Sequence, residues 1–164
     1  MIEVREMSNE EIKQVLEREN FGHLAFSSAD QPYIVPINYV VEGSDIYIYT
    51  TEGKKSEIID ANPKVCLQVE EVVANDEWRS VIVTGTAKQI ISGKHREKAI
   101  KLIQAMNPTL MPALSIRWID NWIRANHEVV YIIRPHSMTG RFTNKVKTTA
   151  AFARPAANQR SKIL

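Results

Sequence analysis

Apolar and polar residues alternate with two distinct periods along this chain, and the period changes mark its elements. Ile12, Val15 and Leu16 recur at helical spacing behind Ser8-Asn9-Glu10-Glu11, a capping-box sequence, so a short helix is predicted to end near Asn20. Strand-like runs follow. "GHLAFSS" from Gly22 and "YIVPINYVV" from Tyr33 are separated by the turn-forming "ADQP", and Glu42-Gly43-Ser44-Asp45 turns the chain back into "DIYIYT". "KKSEIIDAN" reads as a helix of about two turns stopped by Asn62-Pro63. "KVCLQVEEV" and "WRSVIVTGTAKQII" are two further strands, broken by "ANDE". Ser92 is placed to cap a helix carrying Ala99, Ile100, Leu102, Ile103 and Met106. "LSIRWIDNWIRAN" reads as a second amphipathic helix, with Trp118 and Trp122 four apart. "EVVYIIRP" is the sixth strand.

Six strands with short turns and helices between only some of them predict a mainly β fold, an antiparallel barrel or sandwich with peripheral helices. Pro36 cannot donate to a ladder, so its strand is expected to carry a bulge or an exposed edge there, a common docking place for a ligand. The 164 residues suit one domain, with a core drawn from a 44% hydrophobic composition. Cys66 is the single cysteine, which excludes an internal disulfide; its apolar surroundings make it an expected core residue. With no apolar membrane span and a charged N-terminus, a cytoplasmic location is expected.

Charge divides the chain. Residues 141–164 hold six basic residues and no acidic one, which leaves the first 140 at −4 (15 basic against 19 acidic). The expected organisation is a barrel domain over residues 1–140 and a basic C-terminal tail over 141–164, arm-like or disordered. A basic tail can bind nucleic acid, but an acidic body makes a poor nucleic-acid surface, and an arm is the simpler reading. The sequence has no dinucleotide-binding glycine motif, no phosphate-binding P-loop, no nucleophile elbow and no paired cysteines. His23, His95, His127 and His136 lack metal-ligand spacing, so no metal site is expected.

The remaining chemistry lies in "YTTEGKKSE". Lys54 and Lys55 stand where a helix begins, adding their charge to its unpaired amides and positive dipole end. Gly53 lets an anion approach, and Thr50, Thr51 and Ser56 offer hydroxyl donors. On this segment alone, a solvated helix face is the simpler reading.

The order of segments shifts that balance. Pro36 in a strand, Tyr49-Thr50 at a strand end, Lys54-Lys55, Asn62-Pro63, Arg79-Ser80-Val81 and Gly85 together resemble the FMN-binding split-barrel family, the pyridoxamine 5′-phosphate oxidase-like proteins. The resemblance covers roughly residues 20 to 92, and more loosely "IIRPHSMTGR". Gly22-His23-Leu24-Ala25 and Val35 to Asn38 look most like the branch holding the nitroimidazole-resistance proteins. It implies a six-stranded split barrel that forms a homodimer, with one FMN in each of two clefts between subunits. By the same resemblance Lys54 and Lys55 would grip the FMN phosphate, with Tyr49 and Thr50 along the phosphate and ribityl path; Thr51, a hydroxyl donor next to them, is a further cofactor-binding candidate. Pro36, Ile37 and Asn38 would run beside the isoalloxazine. Ser80 would hydrogen-bond the cofactor, and Arg79 beside it is a weaker candidate because alternate strand residues face opposite ways.

Two departures limit the transfer. The Trp- and Arg-rich substrate motif of true pyridoxamine phosphate oxidases is missing from "RPHSMTGRF", which argues against vitamin B6 oxidation. Tyr49 stands where the nitroimidazole-resistance proteins have a histidine, so that histidine's chemistry does not carry over. The expected function is an FMN-dependent oxidoreductase, a reductase or oxidase of a small molecule, with NAD(P)H as a candidate electron donor. No side chain stands out as an acid or base, so the catalytic residue is unknown and protons are expected from solvent. Alternatives on the same barrel are a haem-binding protein using His23 or His136, a non-catalytic flavin-binding protein, and a deazaflavin in place of FMN. Trp118 and Trp122 read either as a lid over the partner subunit's flavin or as packing.

Overall fold

Strict alternation places one row of each strand in the core, and the strands close around it. The computed structural model of the chain describes residues 2–106, 118–119, 122–123 and 128–145. In chain order the elements are β1 (Ile2–Glu6), α1 (Asn9–Arg18), β2 (Phe21–Ser28), β3 (Gln31–Glu42), β4 (Asp45–Thr51), α2 (Lys54–Ala61), β5 (Lys64–Ala74), β6 (Glu77–Gln89), α3 (Lys94–Met106), β7 (Trp118–Ile119), β8 (Trp122–Ile123) and β9 (Glu128–Lys145). The large sheet is antiparallel in the order β1-β9-β4-β3-β2-β5-β6, and β9 also pairs with β6. Six strands therefore close on themselves, and β1 is appended to the far end of β9. This is a split-barrel-like fold, mainly β, as the sequence led us to expect.

Strand β9 makes the closure possible. Its first residues, Glu128–Ile133, pair with β4; Tyr131–Phe142 pair with β6; and Arg141–Lys145 pair with β1. The strand is longer than the expected "EVVYIIRP", so the first five residues of the expected basic tail lie in the sheet. Residues 146–164 lie outside the described residues.

Helix α1 starts with the expected box: the Glu11 amide donates to Ser8 Oγ at 3.3 Å, and the Ser8 amide donates to Glu11 Oε2 at 2.7 Å. The accepted bond and the nearby Arg79 charge outweigh burial and hold the Glu11 carboxyl low. Ile12, Val15 and Leu16 close one end of the barrel against Val81 and Val83. At about 1.5–3 kcal/mol per buried side chain, this stripe supplies most of the gross stabilisation of a helix too short to hold alone. Helix α2 closes the opposite end: Ile59 is buried, and Asn62 Nδ2 donates to the Ser27 carbonyl at 3.0 Å. Helix α3 packs Ala99 and Ile103 on the outer face of β4 and β9, against Tyr47, Val130 and Ile132. Its first intrahelical bond runs from the Glu97 amide to the Gly93 carbonyl, so Gly93 rather than Ser92 precedes the helix.

Trp118–Ile119 pairs antiparallel with Trp122–Ile123. The helix expected there is not formed at these four residues. Trp and Ile favour strands, and the intervening Asp120-Asn121 is turn-forming sequence, which outweighs the four-residue tryptophan spacing. The rest of that expected helix, and the lid reading of the two tryptophan side chains, lie outside the described residues. Cys66 differs too. Val65, Leu67 and Val69 take the inward row of β5, so Cys66 is half-buried on the outer face, between Ala25 and Thr84. Burial pushes its thiol up. Among the described residues no helix is long and apolar enough to cross a membrane.

Candidate functional site

The barrel opens beside β3. Its residues Gln31–Asn38 pair with β2 alone, whereas Tyr39–Glu42 pair with β4 instead. Past Ile48, strand β4 leaves β3 and follows β9, carrying Tyr49–Thr51 away to the start of α2. The result is a split with β3's free edge on one side and the β4–α2 junction on the other. Pro36 lies on the free edge and is exposed, so its missing N–H removes no bond to β4.

Gly53 joins the two elements at φ +157, and a Cβ there would meet nothing within 4 Å. The Ser56 hydroxyl closes the helix start, accepting from the Gly53 amide at 2.9 Å and donating to its carbonyl at 2.8 Å. The first amides of α2 have no intrahelical acceptor. Lys54 reaches from here across the split, its Nζ 4.9 Å from the centre of the Tyr33 ring on β3. Lys55 shares a helix face with Ile59, four residues on, so its stem is drawn inward. Burial lowers the Lys55 ammonium below its ordinary range. Among the described residues neither lysine has a carboxylate within ion-pair distance, whereas Lys13, Lys98, Arg18 and Arg79 are all paired. A partly desolvated cation without a counter-ion is costly, and a bound anion relieves that cost.

Carboxylates sit on the other side of α2. Glu52, Glu57 and Asp60 line a cavity of about 230 Å³ with Gln89 and Val129, and the Tyr131 hydroxyl donates to Asp60 Oδ1 at 2.9 Å. An anion is thus favoured on the β3 side of α2 and repelled on the β9 side.

The other candidates divide. Asn38 is half-buried beside Pro36, while Ile37 is 5% exposed and belongs to the core, so it offers the split only its backbone. Thr50 is buried and Thr51 is half-buried. Tyr49 packs toward α3; burial and a hydrogen bond with Glu128 push its hydroxyl up to about 12. Arg79 and Ser80 are elsewhere. Arg79 Nη1 lies 3.0 Å from Glu71 Oε2, which also holds Arg18 at 2.7 Å, under α1. Ser80 pairs with Glu70, six positions along β5 from Lys64, the strand residue nearest the end of α2. At about 3.3 Å per residue that is roughly 20 Å. Ser80 thus lies far along the sheet from the C-terminal end of α2.

A family model described as pyridoxamine 5′-phosphate oxidase matches residues 8–142. The chain belongs to that family. The chain is 40% identical over 97 residues to the uncharacterized protein RA0666 of Rhizobium meliloti (strain 1021), a match covering 58% of this chain and 64% of that protein. It thus spans less than two thirds of that relative's length. Its fold is similar to the crystal structure of a FAD-binding protein of Mesorhizobium loti, with a TM-score of 0.73 and 25% identity over 88% of this chain and 100% of the other. It is also similar to a putative 5-nitroimidazole antibiotic resistance protein of Bacteroides thetaiotaomicron, with a TM-score of 0.65 and 19% identity over 87% of this chain and 89% of the other, a likeness of fold alone.

This pyridoxamine 5′-phosphate oxidase family member holds the three histidines among its described residues in protein hydrogen bonds. His136 Nε2 lies 3.0 Å from the Thr86 hydroxyl, and His95 Nε2 lies 3.0 Å from the Tyr47 hydroxyl. His23 Nδ1 lies 3.2 Å from Gln68 Oε1. Among the described residues no cluster of His, Cys, Asp and Glu fits a metal ion. Alternation alone could have found the outward row that His23 shares with Gln68 and Glu70, because the three occupy the polar phase of β2 and β5.

Proposed function

We propose that this protein binds FMN along the split and is an FMN-dependent oxidoreductase of a small molecule, with NAD(P)H as electron donor. The observation that carries the reading is the lysine couple at the start of α2, without a carboxylate partner among the described residues, one member half-buried, facing β3's free edge. The phosphate would sit against Lys54, Lys55 and the first amides of α2, where charge-assisted donors converge. From Tyr33 to Asn38 the free edge runs six residues, about 17 Å from end to end, which suits a flavin mononucleotide laid lengthwise. The ring would then lie at Pro36–Asn38, with backbone groups of β3 facing its polar edge.

The bound flavin would supply the hydride chemistry; the protein's residues bind it, orient it and exclude water from the split. Family membership and the likeness to a protein described as FAD-binding support a flavin cofactor, and the lysine pair favours FMN among flavins. A homodimer completes the account. Ser80 and Arg79 would reach the flavin from the second protomer, and Ile34 and Ile82, exposed at 63% and 41% on the outer face, suit burial between two copies. The site would work in the cytoplasm, with residues 146–164 as a basic arm.

The purified protein is expected to be yellow and to show a flavin spectrum. NAD(P)H should reduce it anaerobically, and a quinone or nitro compound should reoxidise it. A Soret band, or a colourless protein that binds neither FMN nor riboflavin, refutes the flavin reading. Flavin that binds but never accepts electrons from NAD(P)H leaves only a binding role.

A further inference from the structure

Gln68 engages two neighbours on the outer face of the sheet. Its Nε2 donates to Glu70 Oε2 at 3.1 Å, and its Oε1 lies 3.2 Å from His23 Nδ1. A carboxylate only accepts, so the amide nitrogen must face Glu70 and the amide oxygen must face His23. His23 Nδ1 then carries hydrogen, and Nε2 is left for another partner. The Phe21 ring meets the imidazole edge-on, with centroids 5.7 Å apart at 78°, and helps fix its plane.

Strand register places His23 directly opposite Pro36 on β3. Both project from the outer face, and directly opposite side chains lie about 5 Å apart. Pro36 belongs to the free edge where the flavin ring is proposed to lie. The ionisable groups around His23 are few. From β5 they are Glu70, through Gln68, and Cys66; Ile34, Pro36 and Asn38 on β3 and Ile82 on β6 are not ionisable.

We propose that His23 is the proton-exchanging side chain of the flavin cleft, with Gln68 and Glu70 as its positioning residues. The inference rests on the flavin reading above. Two-electron reduction of a quinone-type acceptor consumes a hydride and a proton. The hydride originates in NAD(P)H and arrives through the flavin. With Nδ1–H held by Gln68, the donor is the imidazolium form: its Nε2–H bond breaks as an O–H bond of the product forms, leaving the neutral ring. The neutral imidazole recovers a proton from water.

Proton uptake tests this without turnover. The full chain loaded with FMN is photoreduced in weakly buffered solution at neutral pH, and protons taken up per flavin are counted with an indicator dye. A basic group beside the ring binds additional protons as the ring gains electrons, so His23→Gln should lower the uptake by a fraction of a proton. Its FMN dissociation constant should stay within about threefold of the wild type. Gln68→Leu should also lower the uptake, by less, because the imidazole remains but is no longer held. Uptake unchanged in His23→Gln overturns the proposal and leaves the flavin reading intact; absence of flavin binding by the wild-type chain overturns both. Should His23→Gln fail to fold, the comparison passes to Gln68→Leu, where wild-type uptake likewise overturns the proposal.

Discussion

Replacing Lys55, and then both lysines, by alanine probes the split where its electrostatics are most demanding. Among the described residues half-buried Lys55 has no carboxylate partner, so a phosphate there would gain a charge-assisted bond of about 2 kcal/mol, in the range for hydrogen bonds to charged groups. Lys54 is exposed over the Tyr33 ring, and solvent screening leaves it about 0.5 kcal/mol. Together they amount to about 2.5 kcal/mol, a roughly 70-fold weakening of FMN binding, of which Lys55 supplies about 30-fold. Riboflavin lacks the phosphate, so its affinity should change less than about threefold. Fluorescence quenching titrations of both flavins against wild type, Lys55→Ala and the double variant give the comparison. Equal losses for the two flavins, or a larger effect from Lys54 than from Lys55, would refute the reasoning.

Further outcomes follow from the same structure. Without flavin, Lys55→Met should stabilise the protein. Burial lowers the folded ammonium below 10.5, so the penalty is full below the folded value and gone above 10.5; denaturant melts should show the gap between variant and wild type closing as pH rises through that interval. Glu71→Gln should cost about 1 kcal/mol at neutral pH. Burial tends to raise the Glu71 carboxyl, but bonds from the half-exposed Arg18 and Arg79 hold it low; the advantage is present above about pH 4.5 and lost as pH falls through the depressed value. Gly22→Ala should lower the melting temperature by several degrees, roughly 1–3 kcal/mol, because its Cβ would lie 2.6 Å from the Gln68 carbonyl oxygen. Tyr131→Phe should cost about 1 kcal/mol in the same assay, since it removes the bond that ties β9 to Asp60 of α2.

Local signals carried much of the fold. The capping box and the Ile12-Val15-Leu16 stripe announce α1, and alternation announces β2 to β6. Partners distant in sequence hold what was not legible. Ile2–Glu6 is exposed at every position and is a strand only because it pairs with Arg141–Lys145. The second half of β9 has no apolar run of its own; β6 and β1 hold it extended. The turn after β2 was legible, although Ala29 takes a positive φ of 47° that its residue type does not favour.

The site was legible where it is local and obscure where it is not. Gly53, Lys54 and Lys55 are contiguous, and their chemistry can be read from adjacency. The split itself depends on where β3 exchanges β2 for β4, which no single segment reveals. The positions of Arg79 and Ser80 depend on strand length and phase: one turns under α1 to Glu71, the other faces outward some 20 Å from α2. The chain linking Glu70, Gln68 and His23 spans two strands, so only the register brings it together.

Crystallising the protein with FMN tests the central claim most directly. The phosphate should lie within about 3 Å of Lys55 Nζ, against the first amides of α2, with the ring along Pro36–Asn38. A phosphate bound elsewhere, with both ammonium groups turned to solvent, would contradict the account.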